Sequence, residues 1–111
     1  MNISVEKKIL ANAVHTASRF SERKAGSLPA LASVVIIAGD DGIKLRATNL
    51  ETGVDLKLPG ACKTQGVVAI PASVLSQITA SLSGEGNVTL EQSGDIVTLI
   101  TSTGKSSIKT V

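Results

Sequence analysis

Six apolar positions near the start of the chain recur in the same order 65 residues later. Ile3, Val5, Ile9, Leu10, Ala13 and Ala17 fall on Val68, Ile70, Val74, Leu75, Ile78 and Leu82. In each copy two alternating apolar residues, the end of a strand, run into an i, i+1, i+4, i+8 stripe, which is one face of a helix. Three segments of strand character follow each stripe. The pattern therefore predicts strand–helix–three strands, twice over.

The first unit predicts a strand over Asn2–Val5 and a helix from Glu6 to Ser18. Ser4 is its candidate N-cap, and Glu6 in the first turn complements the helix dipole. Ile9, Leu10, Ala13, Val14 and Ala17 make the buried stripe, and Lys7, Lys8, Asn12, His15 and Arg19 the polar face. A polar loop over Phe20–Ser27 leads through Leu28-Pro29-Ala30-Leu31 into a strand ending at Ala38. Asp40-Asp41-Gly42 is a hairpin turn signal. Ile43, Leu45 and Ala47 then alternate with Lys44, Arg46 and Thr48, and Thr52–Leu58 repeats the alternation until Pro59-Gly60 breaks it.

The second unit starts with a strand over Val67–Ile70, and Pro71 suits the first position of a helix over Ala72–Ser83. Gly84 is its expected C-cap. Strands follow at Asn87–Glu91, Ile96–Thr101 and Ser106–Val111, joined by Ser93-Gly94-Asp95 and Thr103-Gly104 turns. The chain stops inside that last strand, which reads as a cut rather than a finish.

Composition narrows the class. A length of 111 residues makes one domain, 1–111, with room for one core. Apolar residues reach 42%, yet Phe20 is the single aromatic. The core is therefore aliphatic, and a lack of stacking platforms disfavours reading of single-stranded nucleic acid. Cys62 has no partner for an internal disulfide, the usual cytosolic condition. The N-terminus lacks the basic and apolar regions of a signal peptide, and the densest apolar run, Leu31–Ala38, is too short to span a bilayer. A soluble, cytoplasmic protein without a membrane partner is expected.

The net charge of +2 is unevenly spread. Lys7, Lys8, Arg19, Arg23 and Lys24 stand against Glu6 and Glu22 in the first helix and its loop, while acids outnumber bases by one beyond them. That asymmetry points to a polyanion, although a solvated helix face explains the same cluster.

Catalytic chemistry is hard to find. His15 stands on a polar helix face with no sequence-near carboxylate or thiol to pair with. One His and one Cys supply no metal site. Gly104-Lys105-Ser106 has the tail of a phosphate-binding loop, but Leu99 stands where the earlier glycine belongs and a strand follows instead of a helix. No catalytic residue, cofactor or metal is expected; the chain reads as a binding or scaffolding domain.

With the order of elements in hand, several stretches resemble the N-terminal domain of the bacterial sliding clamp, the beta subunit of DNA polymerase III. They are the Ile-Ser-Val-Glu run into the first helix, Leu28-Pro29-Ala30-Leu31 before Val34–Ile37, and Arg46-Ala-Thr-Asn-Leu-Glu51. Ala69-Ile-Pro-Ala72 opens the second helix, and Ser-Thr-Gly-Lys-Ser-Ser-Ile-Lys-Thr-Val closes the chain. The match runs through the whole chain in order.

The resemblance implies an α+β DNA-clamp domain: two strand–helix–three-strand units about a pseudo-twofold axis, with two helices packed on antiparallel sheets. It implies the first of three domains in a longer chain. Two such chains would close head to tail as a homodimer ring around duplex DNA, conferring processivity on the replicative polymerase. Polymerase and clamp loader would bind later domains, absent here. Arg19, Arg23 and Lys24 are the residues expected at the DNA backbone, Arg23 or Lys24 matching the family's loop arginine. Three phosphate contacts give a salt slope of roughly −2.7. Family members often carry bases on the second helix where this chain has Ser73 and Ala80, so Ser73 and Gln77 offer neutral hydrogen bonds only. Lys105, Ser107 and Ile108 map to the subunit interface. The alternative is a standalone protein-interaction module using a sheet edge, with no DNA role.

Overall fold

The computed structural model describes residues 1–20, 33–48, 52–82 and 84–111. The order of elements is β1 (Asn2–Glu6), α1 (Lys7–Ser18), β2 (Ser33–Gly39), β3 (Gly42–Thr48), β4 (Gly53–Leu58) and β5 (Gly60–Thr64). Then come β6 (Gly66–Pro71), α2 (Ala72–Ala80), β7 (Asn87–Ser93), β8 (Ile96–Thr101) and β9 (Gly104–Lys109). All pairings are antiparallel, and the strands form two sheets, β5-β1-β7-β8-β9 and β4-β3-β2-β6.

The 65-residue repeat has a spatial meaning: the units exchange their first strands. β1 of the first unit pairs with β7 of the second, Ile3 opposite Leu90 and Val5 opposite Val88. β6 of the second pairs with β2 of the first, Val68 opposite Ile36 and Ile70 opposite Val34. Ile3 and Val5 are the repeat equivalents of Val68 and Ile70, so the two pairings interconvert when the units are swapped, as a pseudo-twofold requires. Each unit's own three-stranded meander is extended by the first strand of the other.

A core of aliphatic side chains fills the space between sheets and helices. Leu10, Val14, Val34, Ile36, Leu45, Ile70, Leu75, Val88 and Leu90 are inaccessible to solvent. Burying each of these large side chains contributes about 1.5–3 kcal/mol. Ile43, Leu45 and Ala47 are buried, as alternation predicted, and Leu58 anchors the end of β4. Asp40-Asp41 makes the tight β2–β3 turn, with Gly42 in the left-handed region at φ 109° that a side chain would disfavour.

Several local expectations are overturned. Ser4 does not cap α1; it lies in β1 between Ala61 and Thr89. Glu6 takes the N-cap without a side-chain cap bond, so the first turn contains no acid. Lys7 is buried, not part of the polar face, and its N–H donates to the Gly86 carbonyl at 3.0 Å. Its repeat equivalent is buried Ala72, so tertiary position overrides side-chain type. Pro71 ends β6 as the N-cap of α2 rather than its first helical residue.

α2 also stops three residues early, at Ala80, and Ser81, not Gly84, is its C-cap. Ser81 and Leu82 bond back to Ile78 and Thr79, a tightened i→i−3 end. The buried Thr79 hydroxyl is satisfied by the Leu75 carbonyl at 2.8 Å.

β5 goes beyond the three strands per unit that the pattern predicts. Gly60–Thr64 has no buried residue and so no period-2 signal, yet it pairs with β1 at the edge of the five-stranded sheet. The chain bends at Pro59 and passes from one sheet to the other, β4 to β5. The second unit repeats the crossing in miniature, since Val111 N–H donates to the Ala69 carbonyl of β6 at 2.9 Å. The chain's end is docked on β6, not bare.

Candidate functional site

Two surfaces follow from this architecture: the outward stripe of the helices and the free edge of β9. On α1, Lys8, Asn12, His15 and Arg19 are exposed at i, i+4, i+7 and i+11, one continuous face. A shift of 65 carries the first three onto Ser73, Gln77 and Ala80, which are the exposed stripe of α2. The helices pack against each other, so the stripes share one layer. The stripes differ in chemistry. That of α1 carries Lys8 and Arg19, and that of α2 carries no charge.

Arg19 is the C-cap of α1, its N–H donating to the Thr16 carbonyl at 3.2 Å. A cation there also complements the negative helix end. Ser73 and Gln77 are exposed, as expected of α2's outward face. Arg23 and Lys24 lie outside the described residues. Lys8, on the polar face of α1, joins these residues through its i, i+11 relation to Arg19, a signal the sequence carries.

β9 has a neighbour on one side only, β8. Lys105 and Ser107 are exposed, whereas Ile108 is 3% exposed and packs into the core opposite Val97. The Ile108 side chain is therefore not available to an interface. Beside this edge, the end of α2 and the β8–β9 hairpin enclose a depression of about 200 Å³ lined by Ile78, Leu82, Leu99 and Lys105. Among the described residues no helix is long and apolar enough to cross a membrane, and no group of three His, Cys, Asp or Glu could hold a metal ion.

On the outer face of the four-stranded sheet, Arg46 grips Asp55 across β3 and β4, Nε to Oδ1 at 2.7 Å and Nη2 to Oδ2 at 3.2 Å. These hydrogen bonds hold the Asp55 carboxyl below its ordinary value of 3.8; the charges of Arg46 and Lys44 add to the effect and desolvation opposes it. The pair is half exposed, so its contribution is small. A depressed folded-state pKa contributes stability above the unfolded value that is lost as pH falls below it. Asp55→Asn should therefore flatten stability against pH below about pH 4, leaving neutral pH little changed. Urea midpoints across that range check this, and parallel curves for variant and parent would refute it.

Two strand–helix units with exchanged strands, one helical layer and an open sheet edge define a DNA-clamp domain. Residues 1–110 match the model of the family described as DNA polymerase III beta subunit, N-terminal domain, and the chain belongs to that family. Solved structures agree in fold. A Eubacterium rectale protein described as a DNA polymerase III beta subunit superimposes with a TM-score of 0.92 at 23% identity, covering 100% of this chain and 30% of that one. The Thermotoga maritima DNA polymerase III beta subunit gives 0.89 at 24% identity, covering 98% and 29%. The Helicobacter pylori beta clamp, solved with a DNA ligase peptide, gives 0.86 at 21% identity, covering 100% and 31%. The chain thus spans about 30% of the length of these structures. No curated protein matches it.

Proposed function

We propose that this chain acts as the first of three domains of a bacterial sliding clamp, a cytoplasmic ring that encircles duplex DNA and keeps the replicative polymerase on its template. Membership of the family over residues 1–110 carries the reading. The mechanism is topological and needs no catalytic group. The ring is a head-to-tail homodimer, with the β9 edge at Lys105, Ser107 and Ile108 and the depression beside α2 facing the second protomer. Polymerase and clamp loader engage the later domains.

The helical layer faces the DNA in this reading. A clamp must hold DNA without reading it, so its contacts go to phosphates. Lys8 on α1 and Arg19 at its C-cap, with Arg23 and Lys24 further along the chain, supply the cations, while Ser73 and Gln77 add neutral hydrogen bonds. Few charges mean weak, easily broken contacts, as sliding requires.

The test is charge reversal in the full-length ring. Arg19→Glu, Arg23→Glu and Lys24→Glu together should weaken DNA retention and make the salt slope shallower by roughly 0.9 per lost contact, about 2.7 in all. Retention of rings on nicked circular DNA against salt measures this. An unchanged slope removes phosphate contact from these residues. A gene that stops after Val111 would remove the three-domain ring itself.

A further inference from the structure

We propose that the outer face of the β4-β3-β2-β6 sheet docks an extended acidic segment of a partner protein, one with an apolar side chain three to four residues from a pair of carboxylates. The proposal is independent of the DNA reading, because this face lies opposite the one that packs on the helices.

Strand register sets out the surface in rows. Val67, Ile37, Lys44 and Lys57 stand side by side across β6, β2, β3 and β4. Ala69, Val35, Arg46 and Asp55 form the next row. Their neighbours Ile36, Leu45 and Ala47 point the other way, into the core. Each row runs from an apolar half to a charged half.

The two halves are unequal in their satisfaction. Arg46 and Asp55 neutralise each other through two hydrogen bonds. Lys44 and Lys57 are directly opposed like charges, an arrangement that destabilises an antiparallel pair. A lysine on edge strand β4 guards against unwanted pairing. That purpose does not require a second one facing it from the interior strand β3. Asp55, which Lys44 also acts on, is already gripped by Arg46, so an anion placed between the two lysines would relieve their repulsion further. At the other end of the row Val67 is 61% exposed, the highest value among the large exposed apolar residues described.

The spacing selects the occupant. Strands lie about 4.8 Å apart, so the apolar and basic ends of a row are separated by roughly 10–14 Å, three to four residues of extended chain. A nucleic acid would meet its phosphates' complement on only half of this face and leave Val67 and Ile37 without a partner. An acidic peptide with one aliphatic or aromatic anchor complements both halves.

Fluorescein-labelled octapeptides with one leucine three or four residues from an Asp-Asp pair, titrated against the full-length protein, provide the probe. Anisotropy should show binding that weakens about tenfold or more with Lys44→Glu plus Lys57→Glu, and again with Val67→Ser. The double reversal should in turn bind the matching Lys-Lys peptide, which shows that the variant still folds. Equal binding of a peptide with scrambled spacing or of polyglutamate overturns the proposal. So does insensitivity to these substitutions, or displacement of the peptide from the unsubstituted protein by duplex DNA.

Discussion

Leu10→Ala and Leu75→Ala should each lower the unfolding free energy by about 2–5 kcal/mol. The two leucines are repeat equivalents, and both are inaccessible to solvent where the helices meet the sheets. Truncation removes three carbons, a methine and two methyls, from each and leaves a cavity whose cost depends on how far the surroundings relax. An aliphatic core lined by β-branched Val and Ile relaxes little, because those side chains are stiff at χ1. Against a stability of about 5–15 kcal/mol for a whole domain, either change takes a large share. The repeat supplies its own control. Ile9 and Val74 are also equivalents, but Val74 is 37% exposed, so Val74→Ala should cost under about 1 kcal/mol. Urea midpoints at constant m measure all three, and a Leu75→Ala midpoint as close to the parent as that of Val74→Ala would refute the assignment of this core.

Gly60→Ala is the second large effect. Gly60 faces Val5 at the start of β5, just after the bend that carries the chain between sheets. A Cβ placed there would lie 2.5 Å from the Ser4 carbonyl oxygen and 2.7 Å from Val5 Cγ1. The first is backbone of the interior strand β1, which is held by β7 on its other side and so does not move independently. Overpacking of this kind costs about 1–3 kcal/mol, and a backbone obstacle puts this case at the upper end. Gly39→Ala makes the comparison. Nothing lies within 4 Å of a Cβ at Gly39, and its φ is not in the left-handed region. That change should be neutral or stabilise by up to about 1 kcal/mol, by restricting the unfolded chain. A Gly60→Ala protein as stable as Gly39→Ala would mean that β5 is not seated on β1.

These two positions mark the limit of what periodicity conveys. Leu10 and Leu75 could be named as core from their spacing, because a helix with one face hidden must repeat its apolar residues every three or four positions. Gly60 could not. It belongs to an edge strand in which no residue is fully buried, so burial imposes no strict alternation. The helix ends were misjudged for a related reason. Ser4 and Pro71 have the chemistry of a cap and a first helical residue, but strand pairing claimed both positions before the helices began. Lys7 has the chemistry of a surface residue and is buried because the geometry that buries Ala72 in the second unit recurs in the first.

The candidate surfaces divide similarly. The cationic stripe of α1 and the neutral stripe of α2 were legible as helical faces. That they are equivalent and lie in one layer was not, since it depends on the packing of α1 on α2. Lys44 opposite Lys57 and Val67 beside Ile37 are matters of register between strands far apart in sequence. The same holds for Ile108, named from sequence as an interface residue and found packed in the core.

By itself the sequence determined the local units: two amphipathic helices, most of the strands and an aliphatic core. Each of these follows from side-chain type at short spacing, which chain geometry reads directly. Only the tertiary structure decided that the units exchange their first strands, that β5 crosses between sheets, and which charges meet on the outer face. Those outcomes rest on contacts between segments tens of residues apart, whose register is selected by the simultaneous burial of both partners and is written in neither segment alone.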